Sequence, residues 1–127
     1  MLKFNSILIF SENPDKLAEF YEKVFDKKPA MAEGGYTSFE VGQGWITFGP
    51  HDKVKGSNMN PERVMWNFET HDLMDEFDRI KALGVKVIKE PKEGDDTGGS
   101  IATFEDPDGN YFQLMKPFEE MTEQMKN

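Results

Sequence analysis

The alternation of apolar and polar residues predicts the same order of elements twice along the chain. In the first repeat, a β-branched and aromatic run at 4–10 predicts a strand, and apolar residues three and four apart within 17–25 predict an amphipathic helix. Short strands are predicted at 36–41 and 45–48, joined by a glycine-containing turn, with room for another near 30–32. The first repeat is therefore predicted to be βαβββ.

The second repeat follows a polar segment rich in turn residues, which predicts a linker. Thr70-His71-Asp72 is typical of a helix start, and Leu73, Phe77 and Ile80 form the apolar stripe of the helix. The predicted strands of this repeat are 64–69, 85–88, 101–105 and 111–115.

An internal duplication explains the repeated order, and the helices share a related phrase, LAEF in one and MDEF in the other. Neither repeat is large enough to bury its own sheet, so we expect both to contribute to one domain over 1–127. Its predicted parts are module one at about 1–50, a linker at about 51–63, module two at about 64–117 and a C-terminal helix at about 117–127. That helix has an apolar stripe, which either packs on the body or forms a dimer contact.

Composition excludes several classes of function. Against 24 acidic residues the 127-residue chain has 15 Lys and Arg, and the net charge of -9 disfavours binding to nucleic acid or an anionic membrane. The absence of cysteine excludes disulfides, a thiol nucleophile and Cys-ligated zinc. No apolar run approaches the ~20 residues of a membrane span. We expect a cytoplasmic protein.

Three phrases carry a family resemblance: NPDKLAEFYEKVF, THDLMDEFDRIKALGVKV and GGSIATFEDPDGNYFQLM. They resemble the vicinal oxygen chelate superfamily of glyoxalases, extradiol dioxygenases and bleomycin or fosfomycin resistance proteins, over essentially the whole chain. The resemblance implies an α+β fold in which two βαβββ modules form a curved mixed sheet around a cavity, usually in a homodimer. In the metal-dependent members, four side chains from four strands bind a divalent metal.

The positions that match those four ligands carry neither carboxylate nor imidazole in this chain. The resemblance places them at Ser6 (or Asn5, one residue earlier), Thr47, Met65 and Gln113. Hard divalent ions prefer carboxylate, imidazole or water ligands, and a thioether is a poor substitute. We therefore predict no metal and no other cofactor.

The two histidines do not replace the missing ligands. His51 lies in the predicted linker and His71 lies at the start of the second helix, away from the four positions. The neighbouring His71 and Asp72 are also a weak acid/base pair, because adjacent side chains diverge on a helix. Gly98-Gly99 precedes a strand and not a helix, so it is not a phosphate-binding loop.

Residues that share a strand face with the four positions are predicted to line the cavity, because side chains alternate along a strand. Aromatic, thioether and amide walls suit a flat or amphipathic organic molecule. The predicted ligand-binding residues are Ser6, Leu8, Trp45, Thr47, Met65, Asn67, Glu69, Tyr111, Gln113 and Met115. The predicted core beneath the helices comprises Ile7, Ile9, Trp66, Phe68, Phe112 and Leu114.

Two functional hypotheses and one alternative follow. The first is a metal-independent protein that binds a small aromatic or cationic organic molecule, in the manner of bleomycin resistance proteins, as a homodimer. The second is a metal-dependent glyoxalase-like lyase, isomerase or dioxygenase. It requires a one-residue register shift that recruits Glu40, Glu69 or Glu105, because such a shift exchanges the faces of a strand. The alternative is that the predicted lining residues only fill the interior.

Overall fold

Both halves of the chain fold in the order strand, helix and three strands. The computed structural model describes residues 1–125, which form one unit of Met1–Ser57 and a second unit from Asn58 onward. Each unit contains a four-stranded mixed sheet, so the predicted α+β fold of two βαβββ modules is confirmed. None of the helices in the described part of the chain is long and apolar enough to cross a membrane.

The sheet of the first unit has the strand order β1-β4-β3-β2. Strands β1 and β4 are parallel, and the other neighbours are antiparallel. The elements are β1 (Ser6–Phe10), α1 (Pro14–Phe25), β2 (Met31–Glu33), β3 (Tyr36–Val41) and β4 (Gly44–Gly49).

Helix α1 covers one face of this sheet. Proline is tolerated in the first turn of a helix, where its missing N–H would have no partner, and Pro14 begins α1. Asp26 ends the helix in the left-handed conformation, with φ 51°. The Tyr21 ring stacks on Phe48 with centroids 5.0 Å apart, and Phe25 meets Phe39 edge-on at 5.4 Å. This aromatic cluster is the core of the first unit.

The second unit repeats the arrangement, with strand order β5-β8-β7-β6 and a parallel pair formed by β5 and β8. The elements are β5 (Trp66–Glu69), α2 (Leu73–Ala82), β6 (Lys86–Lys89), β7 (Ile101–Glu105), β8 (Tyr111–Met115) and α3 (Phe118–Met125). Phe77 of α2 packs on Phe104 with centroids 5.3 Å apart, and Phe104 stacks on Phe112 at 5.5 Å. The apolar stripe predicted for this helix is buried at Leu73, Phe77 and Ile80.

The turn between β7 and β8 is held by a buried carboxylate. Asp106 is 4% exposed, and its Oδ1 accepts hydrogen bonds from the backbone amides of Asp108 at 2.9 Å and Asn110 at 3.0 Å. Its Oδ2 accepts one from Asn110 Nδ2 at 3.0 Å, and Asn58 Nδ2 donates to Asn110 Oδ1 at 3.0 Å. The turn therefore also fixes the start of the second unit.

The structure shortens two predicted strands. The run at 4–10 becomes a strand only from Ser6, and Phe4 is 84% exposed. The strand predicted from Val64 begins at Trp66, which leaves Met65 immediately before it. Of the predicted core, Ile9, Phe112 and Leu114 are buried, whereas Ile7, Trp66 and Phe68 are half-buried. The predicted C-terminal helix is α3, and residues 126–127 lie outside the described range.

Candidate functional site

The face of the first sheet opposite α1 carries four of the predicted ligand-binding residues. Ser6 of β1 pairs with Trp45 of β4, and Leu8 pairs with Thr47. Paired residues on neighbouring strands project to the same side, so the four side chains share one face. Ser6 and Leu8 are exposed within the structure, and Trp45 and Thr47 are half-buried.

Strand β3 adds polar side chains to the same face. Ser38 pairs with Thr47, and their hydroxyl oxygens are hydrogen-bonded at 2.8 Å. Glu40 pairs with Trp45, so an exposed acidic residue lies directly across from a tryptophan on this face. The face therefore combines an apolar surface, a hydroxyl pair and an acidic group.

The face of the second sheet that α2 does not cover carries most of the other predicted residues. Asn67 pairs with Gln113 and Glu69 pairs with Met115 across the parallel strands β5 and β8. Tyr111 lies two residues before Gln113 and so shares its face. Asn67 and Glu69 are exposed, Tyr111 and Gln113 are half-buried, and Met115 is 9% exposed.

Gln113 is held by a neighbouring strand. Its Nε2 donates a hydrogen bond to Thr103 Oγ1 at 2.9 Å, and Thr103 is its register partner on β7. In the first unit the bonded pair is Ser38 and Thr47, at the corresponding place in the β3–β4 hairpin. Both sheets therefore carry a hydrogen-bonded polar pair on the face that their helix does not cover.

Sequence reasoning placed no residue of β3 or β7 on these faces without a register shift, since it took the lining residues only from the strands that bear the superfamily's ligand positions. A sequence signal was present, because TSFE in β3 and ATFE in β7 occupy matching places in the duplication. Ser38 and Thr103 were missed altogether, and Glu40 and Glu105 were considered only as metal ligands after a register shift. Glu40, Glu69 and Glu105 already share the faces of the predicted ligand-binding residues, so no register shift is needed to bring them there.

The residues at the superfamily's metal-ligand positions do not suit a divalent metal. Thr47 and Gln113 are engaged in the hydrogen bonds described above, and Ser6 and Met65 contribute a hydroxyl and a thioether. Among the described residues, no group of three or more His, Asp or Glu side chains is placed to hold a metal ion. The four matched side chains thus offer a divalent ion neither a carboxylate nor an imidazole.

The two histidines lie in separate surroundings. His51 is in a turn of the first unit, where its ring meets Phe10 edge-on with centroids 5.1 Å apart. His71 Nδ1 lies 3.0 Å from Glu120 Oε1 of α3. The hydrogen bond and the negative charge of Glu120 raise the pKa of His71 above its ordinary value.

A cavity of about 440 Å³ lies beside the start of α2, away from the predicted site residues. Its walls include both cationic and acidic side chains, and it is lined by His71, Asp72, Leu73, Met74, Asp75, Pro91, Glu93, Gly98, Gly99 and Lys116. The neighbouring loop is ordered by Asp95, whose Oδ1 accepts hydrogen bonds from the Gly99 amide at 3.0 Å and the Thr97 amide at 2.8 Å. These bonds hold the pKa of the Asp95 carboxyl well below its usual range.

Paired βαβββ units, each with one uncovered sheet face, define a class of fold shared by many small-molecule enzymes and binding proteins. The family model described as Glyoxalase/Bleomycin resistance protein/Dioxygenase superfamily matches residues 3–114. The chain therefore belongs to this superfamily, as the resemblance of its three phrases indicates.

Individual relatives are more distant. The chain is 28% identical over 116 residues to the metallothiol transferase FosB of Bacillus licheniformis, a match that covers 90% of this chain and 75% of FosB. TioX from Micromonospora sp. ML1 superposes with a TM-score of 0.71 at 11% identity, over 90% of this chain and 98% of TioX. The fosfomycin resistance protein FosX from Listeria monocytogenes gives a TM-score of 0.63 at 19% identity, over 95% and 96% of the two chains. The two structural matches establish the fold alone.

Proposed function

We propose that this protein binds a small aromatic or cationic organic molecule through the uncovered faces of its two sheets, without a metal. The observation that carries the proposal is the composition of those faces. Trp45 and Leu8 supply apolar surface beside the exposed Glu40 carboxylate, and Tyr111 lies near the Gln113 amide. Such a mixture of aromatic walls and a few polar groups is typical of sites for small organic molecules.

A metal-dependent enzyme is the competing proposal, and the relatives favour it. FosB is named a metallothiol transferase, and FosX is a fosfomycin resistance protein. Against it stands the donor set, since hydroxyl, thioether and amide groups occupy the four matched positions. Metal analysis of protein purified without chelator decides between the two. Near-stoichiometric zinc, nickel, iron or manganese would overturn the metal-independent proposal.

Fluorescence tests ligand binding directly, because one of the two tryptophans lies on an uncovered face. The variant Trp66→Phe leaves Trp45 as the remaining tryptophan, and we expect its emission to change on titration with organic ligands. The matched control is Trp45→Phe, which keeps Trp66 on the helix side of the second sheet, beside Phe112. We expect no response from that variant.

The library for this screen contains quaternary ammonium compounds, neutral aromatic compounds and organic anions. Saturable responses confined to the Trp45 reporter support the proposal. The proposal is contradicted if no compound changes the emission, or if both reporters respond equally. Either result favours the alternative that the predicted lining residues only fill the interior. The homodimer and the cytoplasmic location stay predictions.

A further inference from the structure

The duplicated hairpins place an acidic residue beside an aromatic one in both units. Glu40 of β3 pairs with Trp45 of β4, and Glu105 of β7 pairs with Tyr111 of β8. Directly paired side chains on antiparallel strands have Cβ atoms roughly 4.5–5.5 Å apart, so each carboxylate is within reach of a ligand that contacts the paired ring. The two hairpins thus carry the same pair of chemical groups.

The two carboxylates differ in what neutralises them. Glu105 Oε2 forms an ion pair with Lys86 Nζ at 3.2 Å, and the Glu105 side chain is 24% exposed. Glu40 is exposed, and no hydrogen bond or ion pair of its carboxylate occurs among the described residues. The ammonium of Lys27 donates to the main-chain oxygen of Glu40 at 2.6 Å. The Glu40 carboxylate therefore remains available to pair with a cationic ligand.

The difference has a structural cause in the edge strands. Lys86 of β6 is the register partner of Glu105. In the first unit, Met31 of β2 pairs with Ser38, and β2 begins at Met31. Continuing that register by two residues puts the uncharged Pro29 opposite Glu40, and the nearby cation Lys27 binds the main-chain oxygen of Glu40 and not its carboxylate. The carboxylate of the second acid–aromatic pair is therefore neutralised by a lysine, whereas the carboxylate of the first pair is not.

We infer that Glu40 and Trp45 form a subsite for the positively charged group of an organic cation, and that Glu105 and Tyr111 do not. The inference deepens the proposed function and rests on it. An ammonium over an indole face is attracted by the negative face of the ring, and an adjacent carboxylate adds a direct charge interaction. The net charge of -9 favours the approach of the same class of ligand.

The test compares phenyltrimethylammonium with its uncharged isostere tert-butylbenzene, using the Trp66→Phe reporter. We expect the cation to bind about fivefold more tightly, the factor that corresponds to a partly exposed charge interaction. Glu40→Gln in the reporter background should remove that preference. The matched control is Glu105→Gln, which lowers the negative charge of the chain by the same amount and should leave the preference intact.

The outcomes separate the subsite from the wider proposal. Equal binding of cation and isostere, or equal loss of preference in both variants, overturns the subsite while small-molecule binding stands. Binding of neither compound, with silence in the wider library, overturns both. A dilution series of the protein, recorded with and without the cation, is the last arm. If Trp45 emission shifts with protein concentration and the cation does not compete, a second copy covers this face and the subsite is wrong.

Discussion

Gly49 at the end of β4 offers the sharpest test of side-chain packing on the first sheet. A Cβ built on Gly49 would overlap Cδ1 and Cε1 of the Tyr36 ring and lie 3.2 Å from its Cζ. The tyrosine ring therefore lies across the glycine, which is buried beneath it. Gly49→Ala must displace the ring, because a methyl group and the ring cannot occupy the same space.

The expected loss of stability in Gly49→Ala depends on how freely the Tyr36 ring can move. Tyr36 is 41% exposed, so it can swing outward and give up part of its packing. Overpacking typically costs about 1–3 kcal/mol, and this mobility places Gly49→Ala near the lower end, at about 1 kcal/mol. In a Tyr36→Ala background the obstacle is gone, and replacing glycine within a strand should stabilise the protein by roughly 0.5–1 kcal/mol.

The assay is urea unfolding of the original protein, both single variants and the double variant, which together form a double-mutant cycle. The prediction is that Gly49→Ala lowers the free energy of unfolding in the original protein and raises it in the Tyr36→Ala background. The same loss of stability in both backgrounds would refute the reasoning. It would mean that the ring does not lie over the glycine.

Two further predictions concern the second unit. Asp106→Ala should destabilise the protein by about 2–4 kcal/mol, because two backbone amides lose a buried acceptor; urea unfolding that matches the original protein would contradict this. The pKa of His71 is raised in the folded state. The stabilisation from its contact with Glu120 is therefore fully present below the ordinary pKa of 6.5 and is lost as pH rises through the raised pKa. An NMR titration of His71 should show the raised pKa, and Glu120→Gln should return it toward 6.5; an unchanged titration in the variant would exclude Glu120 as the cause.

The helices and most strands could be predicted because their signals are local. Apolar spacing defines the stripes of α1 and α2, and short runs rich in apolar, β-branched and aromatic residues mark β3, β7 and β8. The starts of β1 and β5 were predicted two residues too early. Phe4 and Val64 continue the apolar pattern, but a strand extends only as far as its neighbour pairs with it, and here pairing begins at Ser6 and Trp66. Pairing between segments that are far apart in the sequence cannot be predicted from a local pattern.

The candidate site, too, was predictable where it depends on local sequence and unpredictable where it depends on distant segments. Alternation correctly grouped Ser6 with Leu8 and Trp45 with Thr47, since two residues along a strand always return to the same face. Whether each carboxylate forms an ion pair could not be predicted from the strand that carries it. The phrases that end at Glu40 and Glu105, TSFE and ATFE, share their last two residues. An ion pair nevertheless forms at the second glutamate, and none is found at the first among the described residues.

That difference originates in the edge strands, far from both acidic residues in sequence. Lys86 of β6 pairs with the second carboxylate, whereas β2 begins only at Met31 and the nearby Lys27 binds the main-chain oxygen of Glu40 and not its carboxylate. Two corresponding strands can therefore carry the same glutamate while the neighbouring strand changes what that glutamate is able to bind. If this reasoning holds, a lysine introduced by Pro29→Lys should weaken cation binding as Glu40→Gln does, without any change to β3 or β4. Unchanged binding in Pro29→Lys, alongside weakened binding in Glu40→Gln, would show that the edge strand does not control this carboxylate.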